Sequence, residues 1–379
     1  MTDIQNKFFQ ILRCAINVDI DAPELSVTEW KQIYCIVQKQ SLLGVIFPVL
    51  ERVTSPSDDE SEKELFKKMV FEWLGYVRTI ERTNHNVSAN VVKIAEQFSQ
   101  DGFESCLLKG QGNGLLYPQP NLRTPGDIDI LIRPKIAGHE KGNVITDVKK
   151  IIAYVRLKDQ YMKAAYHHIE YPRFNGTDVE VHYRPSFRFN FIFNARLQQY
   201  YVDIADEQFH NRKKIADGEI AVPTAEFNKV ILLNHTYTHL FDQGVGLRQL
   251  LDYYYVLEND VEDSTDYNVL FSYLGIRHIA GAIMWILTAC FGMKPDKVLV
   301  PVDERRGRFV LNEILQGGNF GKYDTHYKFG KGRLGRNMQR LYRDLRLLRY
   351  FPSEAISEPI FRLWHFFWRL RHKGSKGKW

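Results

Sequence analysis

The sequence is poor in cysteine and contains no long apolar run. It has four cysteines, far apart and without a CxxC pair: Cys14, Cys35, Cys106 and Cys290. This spacing indicates neither a disulfide framework nor a zinc knuckle, and it fits a reducing compartment. No stretch of about 18 apolar residues occurs, so a membrane-spanning helix is not expected. The first eight residues lack the basic and apolar segments of a secretory signal. We therefore expect a cytoplasmic location, with peripheral attachment to a membrane as the alternative.

Positive charge is concentrated towards the C-terminus. The 379 residues include 51 Lys and Arg and 45 Asp and Glu, a net charge of +6. Residues 322–379 hold fifteen basic and four acidic residues, so this tail carries +11 and the rest of the chain −5. The asymmetry predicts an anionic partner for the tail, either a membrane surface or nucleic acid. The aromatic cluster at residues 364–368 suits membrane contact, or alternatively plain packing on the protein.

The hydrophobic periodicity changes twice along the chain. Residues 1–100 have helical spacing, and residues 223–316 return to it after a region of short strand candidates. In that middle region Ile128, Ile130 and Ile132 alternate with other residues, which is the period of a strand. We predict an α+β fold with a small mixed β-sheet core at residues 101–222, flanked by helical regions. Residues 317–379 form a fourth segment, a basic and aromatic-rich helical tail that begins with a Gly-rich linker over residues 317–335.

A β-hairpin is predicted around Asn175-Gly176, because Asn-Gly between two β-prone runs favours a two-residue turn. In a regular hairpin Tyr171 would then face Glu180, and Ile169 would face His182. Pro172 indicates that the first strand lies at an edge of the sheet. The adjacent residues His167 and His168 would lie on opposite faces, so at most one of them would reach a site there.

Carboxylates in the middle region predict a metal site. Asp127 and Asp129 are two apart in a strand, so both side chains leave the same face. Such a pair suits Mg²⁺ or Mn²⁺, which bind carboxylates, water and phosphates. With Glu180 from a neighbouring strand, two metal ions could lie roughly 4 Å apart.

Residues upstream of this pair suit a phosphate. Glycines at 110, 112 and 114 allow the backbone to approach an anion at the start of a helix. Lys109 and Arg123 could neutralise phosphate charge. The segment therefore predicts a phosphorylated ligand beside the metal.

The order of these motifs resembles the nucleotidyltransferase superfamily that includes DNA polymerase beta, and more narrowly an uncharacterised bacterial nucleotidyltransferase family. The matching motifs are Leu108-Lys109-Gly110, Tyr117-Pro118, Arg123, the Asp-Ile-Asp strand at 127–132 and the Glu-Val-His strand at 180–182. The resemblance extends over roughly residues 25–260 and excludes the basic tail. It implies a nucleoside triphosphate donor, a divalent metal and transfer of a nucleoside monophosphate, with AMP from ATP expected, to a hydroxyl of an unknown acceptor.

The resemblance also assigns roles to individual residues. It makes Asp127, Asp129 and Glu180 the catalytic and metal-binding carboxylates. The expected nucleotide contacts are Lys109, Gly110, Gln111, Arg123 and His182.

One position departs from the superfamily pattern. A Gly-Ser pair usually precedes the first Asp by about ten residues, whereas this chain has Gly110-Gln111, with fifteen residues between Gln111 and Asp127. Three alternatives stay open on this ground and on the basic tail. One is a nucleotide-binding or regulatory protein without catalysis on the same fold, and the second is an enzyme that modifies nucleic acid. The third is a transferase that acts on saccharide or lipid-linked acceptors at a membrane surface.

Two polar pairs lie further along the chain. His235 and His239 have the i, i+4 spacing of zinc ligands but lack the HExxH glutamate, so a packed helix pair is the prediction. Arg248 and Asp252 are also four apart and are expected to form a structural ion pair, with a nucleotide or acceptor contact as the alternative.

Overall fold

The computed structural model describes residues 1–17, 20–53, 58–135, 144–260, 264–324 and 332–372. Fifteen α-helices and six β-strands occur in these residues. None of the described helices combines the length and apolar character that crossing a bilayer needs.

The helices that precede or interrupt the sheet are α1 (Asp3–Ile16), α2 (Val27–Lys39), α3 (Leu43–Arg52), α4 (Glu60–Gln100), α5 (Gln111–Gly114), α6 (Val144–Lys158), α7 (Phe191–Asp203) and α8 (Ala205–His210). Those that follow it are α9 (Ala225–Asp242), α10 (Leu247–Glu258), α11 (Tyr267–Tyr273), α12 (Arg277–Ile286), α13 (Glu304–Gly317), α14 (Arg333–Leu348) and α15 (Pro352–Arg371). Side-chain caps fix several starts; Thr224, for example, accepts from the Phe227 amide at the start of α9.

Six strands form one mixed sheet in the order β3-β4-β2-β1-β6-β5. They are β1 (Phe103–Leu107), β2 (Ile128–Pro134), β3 (His168–Phe174), β4 (Thr177–His182), β5 (Arg212–Ile215) and β6 (Gly218–Ala221). Strand β2 is antiparallel to β1 and parallel to β4. The parallel register places Asp129 directly beside Glu180, so the two predicted carboxylate strands are neighbours.

The two faces of β2 have different surroundings. Ile128, Ile130 and Ile132 are buried in a core formed with the C-terminal half of α4 and with α6. The alternate residues, Asp129 and Leu131, face the larger helical core instead. The alternation predicted from the sequence is confirmed, and it puts the carboxylates on the side of the sheet that faces α9.

The predicted hairpin forms, but its register is wrong by one residue. Phe174 pairs with Thr177 across Asn175-Gly176, yet Tyr171 pairs with Val179 because the register shifts between Tyr171 and Phe174. This bulge contains Pro172, which has no N–H for the ladder, and β3 is an edge strand as predicted.

The shift of one residue has a consequence for the site. A slip of one residue turns side chains to the other face. His168 therefore lies opposite His182, where Ile169 was expected.

The helices before and after the sheet share one hydrophobic core. It includes Phe8 of α1, Trp30 of α2, Phe241 of α9 and Phe361 of α15. The predicted linker over residues 317–335 is only partly correct, since α14 already begins at Arg333. Residues 325–331 of that linker and residues 373–379 of the predicted tail lie outside the described residues. The domain boundaries remain predictions.

Candidate active site

A strained turn opens the site. Strand β1 ends at Leu107, and the chain reverses through Lys109 and Gly110, which both have positive φ angles of 32° and 52°. The ψ of −118° at Gly110 is a conformation that a side chain would disfavour. Strain of this kind is typical of functional sites. Here it lets Lys109 reach the carboxylates while the Gly110 backbone lines the same cavity.

Three carboxylates cluster at the start of β2 and on the neighbouring strand β4. Oxygens of Asp127, Asp129 and Glu180 all lie within 4.8 Å of one another. Asp127 is exposed, Glu180 half-buried and Asp129 buried. The structure thus brings together the three residues that the sequence singled out.

Electrostatics separate the two aspartates. The negative charge of Asp129, together with partial desolvation of the Asp127 carboxylate by its surroundings and the charge of Glu180, raises the pKa of Asp127 to about 6. Burial also works against ionisation of Asp129, but the Lys109 ammonium and the His182 hydrogen bond outweigh it and hold the pKa of Asp129 well below its usual range. Asp129 is therefore ionised at neutral pH. Asp127 is also ionised there, but repulsion by its neighbours makes its carboxylate a stronger base than that of an ordinary aspartate.

The donor set fits a hard divalent cation. Three carboxylates this close repel one another, and a bound cation would relieve that repulsion. Oxygen ligands of this type are those that Mg²⁺ and Mn²⁺ take. The raised pKa of Asp127 is the observation in this structure that indicates an incompletely neutralised site.

Lys109 is the buried cation of the site. Its Nζ lies 3.0 Å from Asp129 Oδ1 and 3.5 Å from His235 Nδ1. Burial lowers the pKa of Lys109, but the charges of Asp129, Glu180 and Asp127 outweigh that effect and raise it above its usual value. Lys109 therefore stays charged beside the carboxylates.

Helix α9 and the loop after α13 close the cavity around this cluster. His235 and His239 pack edge to face with ring centroids 4.1 Å apart, and the Phe320 ring lies 5.4 Å from that of His239. Burial lowers the pKa of both histidines, to about 4 for His239, so they are neutral. The predicted packed pair is present, and it also lines the cavity.

The two arginines that line the cavity have different hydrogen-bond partners from those expected. Arg123, expected to contact phosphate, donates to both oxygens of Asp252, from Nε at 2.7 Å and from Nη2 at 2.8 Å. Tyr117 also donates to this carboxylate. The expected pair of Arg248 with Asp252 is therefore wrong, because Asp252 is already occupied.

Arg248 is instead the arginine available to a ligand. Its Nη1 donates to the Thr124 carbonyl at 2.8 Å, and its buried Nε has no hydrogen-bond partner among the described residues. The guanidinium lies beside Gly126, where an added Cβ would be 3.9 Å from Nη1. Carbonyl oxygens are neutral acceptors, so they do not neutralise the positive charge of Arg248 as a carboxylate would. That charge can therefore attract an anion in the cavity.

Two other predicted contacts are placed differently. The Gln111 amide donates to Asn84 of α4 at 2.9 Å, and the side chain does not line the cavity. His182 is buried; its Nε2 lies 2.9 Å from Asp129 Oδ1 and its Nδ1 lies 3.2 Å from the Arg184 carbonyl. With an acceptor at each nitrogen, His182 orients Asp129 from behind.

A second cavity adjoins the first. Each has a volume of about 290 Å³, and five lining residues are common to both: Lys109, Glu180, His235, His239 and Gln243. His167 and His168 both line the second cavity, so the expectation that at most one would reach the site is wrong. His167 precedes β3 and is not bound by strand alternation, while the bulge turns His168 towards Glu180, with Nδ1 3.4 Å from Oε2.

The C-terminal helices form the far wall of this second cavity. Trp364 and Trp368 pack on Tyr166, with centroids 5.4 and 6.3 Å away, as the packing alternative expected. Phe366 and Phe367 are exposed. The position of α15 over the site could not be read from the sequence, because no periodic pattern indicates which surface a terminal helix covers.

Fold and site together define a class. A mixed sheet that presents three clustered carboxylates from neighbouring strands, beside a largely buried lysine and two buried arginines, suits transfer of a phosphorus-containing group with the help of a divalent metal. The chain belongs to the family described as uncharacterised nucleotidyltransferase, whose model matches residues 26–292. The protein is therefore an enzyme that transfers a nucleotidyl group. Searches of curated proteins and of solved structures find no match.

Proposed function

We propose that the enzyme transfers a nucleoside monophosphate from a triphosphate to a hydroxyl group, with Mg²⁺ or Mn²⁺ as the metal. ATP is the first donor to test, and AMP would then be the transferred group. The observation that carries the proposal is the cluster of Asp127, Asp129 and Glu180, which lines the first cavity and also borders the second through Glu180. A reaction between two substrates needs two binding spaces that meet at the reacting group, and these cavities meet at Glu180 and Lys109.

The first cavity suits the triphosphate. Gly110 offers backbone without a side chain, and Arg248 offers a guanidinium without a carboxylate partner among the described residues. Lys109 adds a second charge beside Asp129. Two cations and a glycine turn are the features that phosphate groups need.

The carboxylates would hold the metal. Asp127 and Asp129 lie on the side of the first cavity, and Glu180 lines both. When bound, the metal would supply positive charge to the triphosphate and acidify the acceptor hydroxyl. His182 and Lys109 keep Asp129 in one position, which preserves the geometry of the set.

The reaction is a displacement at phosphorus. The acceptor hydroxyl oxygen forms a bond to the α-phosphorus, and the bond from that phosphorus to the bridging oxygen of the β-phosphate breaks. Pyrophosphate leaves with the bonding electron pair. Glu180 is placed to accept the hydroxyl proton, since it lines both cavities.

The test is a calorimetric titration of ATP, GTP, CTP and UTP with Mg²⁺ or Mn²⁺ into the full chain. We expect one triphosphate to bind in a metal-dependent manner, and Asp127→Asn with Asp129→Asn to remove the metal dependence. Asp178→Asn is the matched control, because Asp178 lies on β4 but is exposed and pairs with Arg173. Binding of no triphosphate by the folded wild type, or unchanged binding in the double variant, would contradict the proposal.

A further inference from the structure

Because the first cavity accounts for the donor, the second cavity needs an occupant of its own. Resting on the proposed function, we propose that it binds the acceptor, and that the acceptor is a sugar-sized hydroxyl compound bearing an anionic group, a phosphate or a carboxylate. The family match ends at residue 292, whereas α14 and α15 provide a wall of this cavity.

Position is the first argument. The second cavity shares only five lining residues with the first, among them Glu180 and Lys109. A molecule in the second cavity would meet the donor at these shared residues. It would be separated from Asp127, Gly110 and Arg248, which line only the first cavity. A hydroxyl bound at this boundary would lie next to a donor in the first cavity.

Size and surface are the second argument. A volume of about 290 Å³ is at the lower end of the range of roughly 300–1,000 Å³ that small-molecule pockets have. Three phenylalanines, Phe187, Phe189 and Phe361, supply apolar lining. Phe187 and Phe361 stack at 5.0 Å, so their positions are fixed. A ring with one apolar face and several hydroxyls fits such a surface.

Charge is the third argument. Four cations and three carboxylates line the cavity: Lys109, Arg340, Arg362 and Arg369 against Glu180, Asp242 and Glu358. Arg340 pairs with Asp242, and Arg362 Nη2 lies 3.3 Å from Glu358. Nη1 of Arg362 is buried and has no hydrogen-bond partner among the described residues. Three guanidinium groups in one wall, with this Arg362 nitrogen still without an acceptor, favour an anionic group on the ligand.

The wall is fixed in place before any ligand binds. Glu354 at the start of α15 forms a buried ion pair with Arg188 and accepts from the Phe189 amide at 3.0 Å. Further along, His365 Nε2 accepts from the Tyr166 amide at 3.1 Å. Anchors on both sides of Phe361 and Arg362 give this part of the basic tail a local role in the site.

The experiment measures binding of D-glucose 6-phosphate, D-gluconate and D-glucose to the full chain without triphosphate, by ligand-observed NMR. We expect at least one of the anionic compounds to bind about tenfold more tightly than glucose, as a charged hydrogen bond predicts. The two anionic compounds distinguish phosphate from carboxylate. Arg362→Gln should remove the difference, and Arg371→Gln, on an exposed part of α15, should leave it.

Two further variants separate this inference from the proposed function. Arg248→Gln should weaken triphosphate binding but leave binding of the sugar derivative unchanged. Ala165→Leu, which would fill part of the second cavity, should weaken binding of the sugar derivative and leave triphosphate binding unchanged. This variant keeps the test valid if Arg362→Gln disturbs α15. Equal binding of all three sugars, no binding, or binding insensitive to both Ala165→Leu and Arg362→Gln would overturn the inference while the triphosphate titration still stands.

Discussion

The two cavities that meet at Glu180 are built from different parts of the chain. Apart from Phe320, every residue that lines the first lies within the segment matched by the family model. The second takes six lining residues from beyond residue 292: Arg340, Glu358, Phe361, Arg362, His365 and Arg369. In the proposed function, the donor cavity thus lies almost wholly within the matched segment, while the C-terminal tail adds residues to the acceptor cavity. Changes on the two sides should therefore have separable effects.

Glu180→Gln should have the largest effect, because this carboxylate belongs to both sides. Loss of a general base or metal ligand should slow nucleotidyl transfer by about 10²- to 10³-fold. The side chain is 32% exposed, so the fold should be retained. The measurement is single-turnover transfer from labelled triphosphate, with Asp178→Asn as the control on the same strand. Retained transfer in Glu180→Gln would remove the residue that joins the two cavities in our account.

The two arginines of the first cavity offer the next comparison. Arg123→Gln breaks a buried bidentate pair and leaves Asp252 without its cation, so the free energy of unfolding should fall by about 3–5 kcal/mol. Arg248→Gln has no carboxylate to abandon among the described residues, and should instead raise the Kd for the triphosphate roughly 10- to 100-fold. Urea denaturation and calorimetry on both variants test this. If Arg123→Gln keeps its stability and loses triphosphate binding, the roles are as first expected from the sequence.

The sequence predicted the parts of the site that depend on local pattern. The alternation around Ile128 and Ile130 was enough to place Asp127 and Asp129 on one face, and Asn175-Gly176 was enough to place the hairpin turn. Strand periodicity and turn preference are local properties of the chain. A single sequence is therefore enough to predict these features.

What the sequence did not predict depends on contacts between distant segments. The bulge at Pro172 reversed the face of His168, and a one-residue shift leaves no mark in the hydrophobic pattern. The pairing of Arg123 with Asp252 joins residues 129 apart, which spacing on one helix cannot indicate. Phe320 lies beside the cavity because its neighbour Gly321 packs against the loop between α9 and α10, where a Cβ would lie 2.0 Å from the Gln243 carbonyl oxygen.

Metal binding should depend on pH through Asp127 and not through Asp129. The pKa of Asp127 is raised to about 6, chiefly by the charge of Asp129, so below pH 6 a metal ion must displace a proton. We expect the Kd for Mn²⁺ to rise by up to about tenfold per pH unit as the pH falls below 6. Asp129, whose pKa is well below its usual range, adds nothing in this window. Calorimetry from pH 5 to 8 is the measurement, and Asp127→Asn should bind weakly with a flat profile.

The smallest effect is on stability without metal. A carboxyl whose pKa is raised in the folded state binds its proton more tightly there than in the unfolded chain. Its contribution to stability is therefore present at low pH and is lost as pH rises through about 6. Asp127→Asn removes this loss, so the metal-free variant should have a slightly higher Tm than the wild type at pH 8 and no advantage at pH 4. Thermal denaturation with a chelator at both pH values is the test, and Asp178→Asn should show no such pH-dependent gain. A Tm difference that is equal at both pH values would mean that Asp127 is not repelled by its neighbours, and the case for a cation between the two cavities would lose its electrostatic support.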